Sequence, residues 1–94
     1  MIRYFFKKSF DKLIRKLSLK QKERIKEICI EIIDVLEGNT ELRKGLRLKR
    51  LYEDIYEISE GMKLRVIFRW EKDSVTFILA GSHDQIKKFL KENI

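Results

Sequence analysis

The 94-residue sequence is poor in the residues and runs that mark several large classes of protein. It has a single cysteine, Cys29, which excludes an intramolecular disulfide and fits a reducing compartment. Its single histidine, His83, argues against a zinc site. The uninterrupted apolar runs are a few residues long, whereas a transmembrane helix needs about 20. The start, MIRYFFKKSF, lacks the apolar region and the cleavage site of a secretory signal. We therefore expect a soluble, cytoplasmic protein.

Positive charge is in excess, with 22 Lys and Arg against 15 Asp and Glu and a formal net charge of +7. This excess favours a polyanionic partner such as nucleic acid, an acidic protein or a membrane surface, although solubility alone also accounts for it. The sequence has no phosphate-binding loop, no dinucleotide fingerprint, no CxxC and no acidic or histidine cluster with metal-ligand spacing. We therefore expect no cofactor and no metal, in one domain spanning residues 1–94.

The order of the sequence patterns predicts an α+β fold. MIRYFF is typical of a strand, and Ser9 is a candidate N-cap for a short helix over FDKLIRKL. Ser18 and Gln21 form a capping-box pattern at the start of a longer helix that Gly38 and Asn39 end. Its apolar face has spacings of three and four: Ile25, Ile28, Cys29, Ile32, Ile33 and Leu36. The spacing makes Cys29 a core residue rather than a nucleophile.

Alternating strands follow in LRLKRL, IYEIS and KLRVIFRW, separated by turn residues. VTFILAG has almost no polar residue, which predicts a central strand that is buried on both faces. Ser82 and Gln85 then form a second capping-box pattern, at the start of a last helix. We expect an N-terminal strand and two helices packed on one face of a twisted antiparallel sheet, followed by a short C-terminal helix.

The strand GMKLRVIFRW contains two arginines among apolar residues. Alternation puts one face of the strand, Leu64, Val66, Phe68 and Trp70, against the helices, and it puts Arg65 and Arg69 on the other face. A solvated sheet face explains Arg69 well but Arg65 less well, since Arg65 lies mid-strand. A second basic segment within LRKGLRLKR adds Arg43, Lys44, Arg47, Lys49 and Arg50. Arg and Lys on an open sheet face can hold phosphates.

The element order and the stretch YEDIYEISEGMKLRVIFRWEKDSVTFILAGSHDQIKKFL resemble the RelE/ParE superfamily of type II toxins. LRVIFRW is similar to the Arg-x-x-x-Arg-Trp strand of HigB-type toxins, and GSHDQIKKFL is similar to the ending of many RelE-like toxins. The motifs lie within residues 46–90. The resemblance implies a RelE-like fold and a messenger RNA interferase. Such an enzyme is a metal-free endoribonuclease that cleaves mRNA in the ribosomal A site and so inhibits translation.

The resemblance also implies roles for individual residues. Arg65 matches the arginine that contacts the scissile phosphate, and His83 matches the acid/base position after the last strand. Lys49 and Arg50 match a basic pair assigned to substrate phosphates and proton transfer. Arg69 matches the second arginine of the HigB-type strand and is assigned to RNA binding. The basic segment itself, apart from the resemblance, assigns RNA binding to Arg43, Lys44 and Arg47. We expect Arg65 to pair with no acidic group. Ser59, in YEIS, stands where many relatives have arginine.

Two other functions remain open at this point, so whether the chain is an enzyme also remains open. One is a ParE-like toxin that binds DNA gyrase without cleaving anything, and the other is an inactive RNA- or protein-binding relative. The partners that the resemblance implies are a small cognate antitoxin, in assemblies such as a toxin–antitoxin heterotetramer, together with mRNA and the ribosome with its rRNA. No membrane partner is implied.

Overall fold

The computed structural model describes residues 2–61 and 63–92, which form five strands and three helices. In chain order these are β1 (Arg3–Phe6), α1 (Lys8–Arg15), α2 (Leu19–Leu36), β2 (Leu46–Tyr52), β3 (Ile55–Glu60), β4 (Leu64–Glu71), β5 (Ser74–Gly81) and α3 (His83–Glu92). The strands form one sheet in the order β1-β5-β4-β3-β2. Neighbours from β2 to β5 are antiparallel, and β1 pairs with β5 in parallel. The predicted α+β fold is confirmed, with a sheet that is mixed because of β1.

Helix α2 covers one face of the sheet. The predicted capping box is present at its start, since Gln21 N donates to Ser18 Oγ over 3.2 Å and Ser18 N donates to Gln21 Oε1 over 3.1 Å. Its apolar stripe packs on the matching face of β4 and β5, where Val66, Phe68 and Phe77 are fully buried. Cys29 is buried in this core, and burial raises the pKa of its thiol to about 12. The core prediction for this cysteine is therefore confirmed.

Helix α1 follows β1 in the chain and packs along β5. Ser9 was predicted to cap this helix, but that prediction is wrong. The helix begins at Lys8 after Lys7, with no side-chain cap, and Ser9 Oγ donates to the carbonyl oxygen of Ile78 over 2.6 Å. The β4–β5 register shifts between Ile67 and Phe68, so Ile78 is the extra residue of a bulge. Its carbonyl group is therefore satisfied by a side chain.

Helix α3 packs on the sheet face opposite α2, at β5. A second cluster joins Leu13, Leu79 and Ile86, with Ile67 and Phe89 packed against it. Because α3 covers β5 and the Ile67 position of β4, the same face stays open over β2, β3 and the rest of β4. Within residues 2–61 and 63–92, no helix has the length and apolar character needed to cross a bilayer.

Candidate nucleic-acid interface

The uncovered part of the sheet face opposite α2, which we call the open face, is lined mainly by polar side chains. The pairing register gives two rows across the strands: Arg47 faces Ser59, which faces Arg65, and Lys49 faces Glu57 in the next row. Because side chains alternate along each strand, all five point to the same side. The charged and polar residues of the open face are Arg47, Lys49, Glu57, Ser59, Arg65 and Arg69.

Arg65 is held by a carboxylate. Its Nη1 donates to Glu57 Oε1 over 2.6 Å, and the two side chains are only 21% and 14% exposed. Glu57 is the diagonal neighbour of Arg65, two residues before Ser59 on the adjacent strand, which is within reach of a long side chain. The expectation that Arg65 pairs with no acidic group is therefore wrong. This pair also explains how an arginine is tolerated in the middle of an apolar strand.

One donor of Arg65 remains unused. Its Nε is buried and has no hydrogen-bond partner in the part of the chain that the structure describes. Unpaired buried donors are rare in folded proteins, and each needs an explanation such as strain, a catalytic role, or a bound water or ion. The guanidinium therefore has hydrogen-bonding capacity beyond its contact with Glu57.

Arg69 lies toward the other end of β4, opposite Ile55 and Thr76. Its Nε is 3.5 Å from Asp54 Oδ1, and both side chains are 41% exposed. This is a loose surface pair, and such pairs contribute little to stability. The Nε of Arg69 is also buried without a hydrogen-bond partner among the described residues, as is that of Arg65. The two arginines share the open face, but only Arg65 is held by a close carboxylate.

The basic segment from Arg43 to Arg50 does not form one cluster. Arg47 and Lys49 are exposed on the open face, and neither makes an ion pair or a side-chain hydrogen bond with any described residue. Lys44 is exposed in the turn before β2. Arg50 faces Tyr56, on the α2 side of the sheet, and its Nε donates to the carbonyl oxygen of Glu53 over 2.6 Å. Lys49 and Arg50, predicted to act as a pair, therefore point to opposite faces.

Arg43 belongs to an ion-pair network between α2 and the end of β3. Glu60 accepts hydrogen bonds from Arg24, including one from Nε over 2.9 Å, and from Arg43 Nη2 over 3.0 Å. The hydrogen bonds from Arg24, followed by that from Arg43, lower the pKa of Glu60 to about 2. Arg24 also pairs with Glu27, and Arg43 with Glu31. The contacts give Arg43 a structural role, and its predicted role in RNA binding stays a prediction.

His83 is the first residue of α3 and is exposed. The predicted capping box at Ser82 is present, because Ser82 N donates to Gln85 Oε1 over 2.8 Å and Gln85 N donates to Ser82 Oγ over 3.1 Å. The preceding Gly81 faces Arg65 in the β4–β5 register. Gly81 is therefore the β5 end of the row that contains Arg65. His83 follows two residues later, at the start of α3.

Sequence reasoning missed Glu57 as a candidate functional residue. The signal was present, because IYEISE alternates and puts Glu57 and Ser59 on one face of β3. Only the β3–β4 register brings the carboxylate to Arg65. Among the described residues, no group of three or more His, Cys, Asp or Glu side chains could hold a metal ion.

No family model matches this sequence, and no curated protein matches it either. Solved structures do match in fold. A metal-bound toxin from Helicobacter pylori is 17% identical with a TM-score of 0.66, covering 92% of this chain and 99% of that one. RelE in the RelB-RelE antitoxin-toxin complex from Methanococcus jannaschii is 22% identical with a TM-score of 0.65, covering 90% and 96%. The chain has the RelE-like toxin fold.

The intact E. coli RelBE toxin-antitoxin complex also contains this RelE-like fold, at 23% identity and a TM-score of 0.60 over 87% of this chain and 96% of that one. The resemblance inferred from sequence is thus confirmed for the fold. Identities this low do not transfer the chemistry of those proteins. The residue roles depend on the geometry of the open face.

Proposed function

We propose that the chain is the toxin of a type II toxin–antitoxin system, formed by residues 1–94 as one domain in the cytoplasm. We propose further that it acts as a metal-free endoribonuclease on mRNA in the ribosomal A site. The observation that supports this most directly is the Arg65–Glu57 pair on the open face. It puts an anion-binding group and a proton acceptor in contact, beside two unpaired cations, Arg47 and Lys49.

The proposed reaction uses the nucleophile that RNA already contains. The 2′-hydroxyl attacks the adjacent phosphorus, and Glu57 takes its proton. Arg65 and Lys49 stabilise the additional negative charge on the phosphoryl oxygens. His83 gives a proton to the leaving 5′-oxygen as the P–O bond breaks. The products are a 2′,3′-cyclic phosphate and a free 5′-hydroxyl.

The remaining basic residues contribute unequally in this proposal. Lys44 and Arg47 are exposed and free of carboxylate partners in the described chain, so they are suited to phosphates beside the cleaved bond. Arg69 extends the surface along β4. Arg43 and Arg50 already donate to Glu60 and to Glu53, so binding RNA would require them to exchange partners.

An antitoxin partner is supported by an apolar groove as well as by the charge. The groove, of about 570 Å³, lies between α1, α2 and the edge strand β1 and is lined by side chains that include Phe6, Ile30 and Ile33. Among the described residues, strand β1 pairs with β5 alone, and its aromatic residues Tyr4 and Phe5 are about half exposed. An unpaired edge beside an apolar groove can accept an added strand or helix. Relatives with this fold are found in complexes with RelB antitoxins.

The test is His83→Gln, with Lys87→Gln on the exposed surface of the same helix as its control. If His83 protonates the leaving oxygen, single-turnover cleavage on programmed ribosomes should fall about 10²–10⁴-fold, whereas ribosome affinity should be unchanged. Lys87→Gln should cleave normally. Unchanged cleavage in His83→Gln would remove His83 from the reaction. Growth arrest without any cleavage, accompanied by inhibited DNA supercoiling, would instead support the gyrase-binding alternative.

A further inference from the structure

We propose that the Ser59 hydroxyl and the Arg47 guanidinium form a seat for the RNA phosphate next to the one that Arg65 binds. This inference rests on the proposed function and extends it by a second phosphate site. It makes Ser59 a substrate-binding residue in this chain.

The row across the sheet has the geometry for such a seat. Arg47 faces Ser59, and Ser59 faces Arg65, on three adjacent strands of the open face. Neighbouring strands are about 4.8 Å apart, so the backbones at Arg47 and Arg65 are separated by roughly 10 Å. Serine is the only side chain between them in this row, and it is short. The row therefore has a short hydroxyl side chain between two long cationic ones, and we call the space above Ser59 the gap.

The donors in this gap are unpaired. Ser59 is half-buried, yet its hydroxyl makes no hydrogen bond to any residue that the structure describes, and the same holds for the Arg47 guanidinium. Arg65 is different, because its Nη1 is directed to Glu57 in the neighbouring row. The gap is consequently left to Ser59 and Arg47. A hydroxyl and a guanidinium can both donate to the oxygens of one phosphate, and the charged donor sets the strength of that contact.

The direction of the row predicts the path of the RNA. If the scissile phosphate lies at Arg65 and the next phosphate at Ser59 and Arg47, the backbone crosses β4, β3 and β2 at right angles to the strands. Lys49, one row away on β2 and facing Glu57, then lies on the Glu57 side of this path.

The experiment measures binding without cleavage. The probe is a short 2′-O-methyl oligoribonucleotide, which has no free 2′-hydroxyl to attack and therefore cannot be cut. The variants are Ser59→Ala, Arg47→Ala and the double variant. The controls are Arg3→Ala and Ser74→Ala, which remove an arginine and a serine that face each other between β1 and β5 at the far edge of the sheet.

Each variant of the seat should weaken binding about tenfold, in line with a lost hydrogen bond to a charged group. The double variant should lose less than the product of the two, because both side chains contact one phosphate. Arg47→Ala should also reduce the slope of log affinity against log salt concentration by about 0.7, which is the value for one phosphate contact on single-stranded nucleic acid. Ser59→Ala should leave this slope unchanged, because serine carries no charge. The two controls should bind like the wild type.

The outcomes separate the seat from the proposed cleavage. If the seat variants bind like the controls while the wild type cuts RNA, the seat is refuted and the enzyme remains. If the wild type cuts nothing but both seat variants lose affinity with coupling between them, the seat stands and the proposed cleavage is refuted. Independent, fully multiplicative losses would refute a shared phosphate.

Discussion

The Arg65–Glu57 pair gives a test in which stability and activity respond differently to the same substitutions. The perturbation is a double-mutant cycle with Arg65→Met, Glu57→Gln and the two together. Methionine keeps the length and apolar body of the arginine but removes its charge and donors. Glutamine keeps the shape of the glutamate but removes its charge.

The expected magnitudes follow from burial and hydrogen bonding. Removing one partner of a fully buried pair costs about 3–5 kcal/mol, because a charge stays buried without compensation. Here the side chains are 21% and 14% exposed, so water reaches the remaining group, and we expect about 2 kcal/mol for Arg65→Met. Glu57→Gln should cost about 1 kcal/mol, since its amide oxygen still accepts a hydrogen bond. The double variant should be within about 1 kcal/mol of the wild type, because no unpaired charge remains.

The assays are urea unfolding and thermal melting, run beside single-turnover cleavage on programmed ribosomes. In a chain of this length about 2 kcal/mol lowers Tm by roughly 10 °C, which is easily measured. Arg65→Met should lose both stability and cleavage. The double variant should regain stability and still not cleave, because the phosphate contact is absent. Arg69→Met is the stability control, since its loose pair with Asp54 is worth less than about 1 kcal/mol.

Two results would refute this reasoning. If Arg65→Met is as stable as Arg69→Met, the pair with Glu57 does not stabilise the sheet, and the mid-strand arginine needs another explanation. If the double variant folds and still cleaves at the wild-type rate, neither side chain takes part in the reaction.

The remaining predictions concern Glu60 and Gly81. The pKa of Glu60 is lowered from 4.5 to about 2, so its stabilising effect is present above pH 4.5 and should be lost as the pH falls toward 2. Solvent contact limits this loss of stability to about 1–2 kcal/mol. Urea unfolding measured at a series of acidic pH values should show the loss. Glu60→Gln should remove this part of the pH dependence. Gly81 has φ +144, and an added Cβ would lie 3.0 Å from Oε1 of Gln85, which caps α3. Gly81→Ala should therefore destabilise the protein by about 2–3 kcal/mol, because it strains the backbone and disturbs the helix cap. Gly38→Ala, at φ +79 with open space around it, should show the strain alone in the same urea titration.

The sequence predicted the parts of the fold that depend on local patterns. The capping boxes at Ser18 and Ser82 are present because each needs only residues three positions apart. The two faces of β4 were correct because alternation requires no knowledge of the partner strands. Ser9 was misassigned for the opposite reason. Its hydroxyl bonds to Ile78, 69 residues away, and no local pattern reveals that contact.

The candidate site was predictable in its residue types but not in its pairings. The alternation of side chains along β4 is enough to predict that Arg65 and Arg69 lie on the same face. That Glu57 holds Arg65, and that Ser59 lies between two arginines, depends on the β2–β3 and β3–β4 registers. A shift of one residue in either register would move every side chain of the strand to the other face. Turn signals in YED and SEGM set the hairpins but do not fix the register to a single residue.

The division of the basic segment shows why a run of charge in a sequence is a weak guide to a binding surface. Arg47 and Lys49 are separated by one residue and share the open face, whereas Arg50 follows directly and faces the other way. Arg43 lies before the strand, where the carboxylate of Glu60 is within reach, so its charge is already compensated. A cation contributes to attraction of a polyanion through the whole field of the protein, but it binds a phosphate only if it keeps a free donor on the same side as the other binding groups. By that criterion, the effective cations of the proposed site are those on the open face, and the positive charge of residues 43–50 overstates their number.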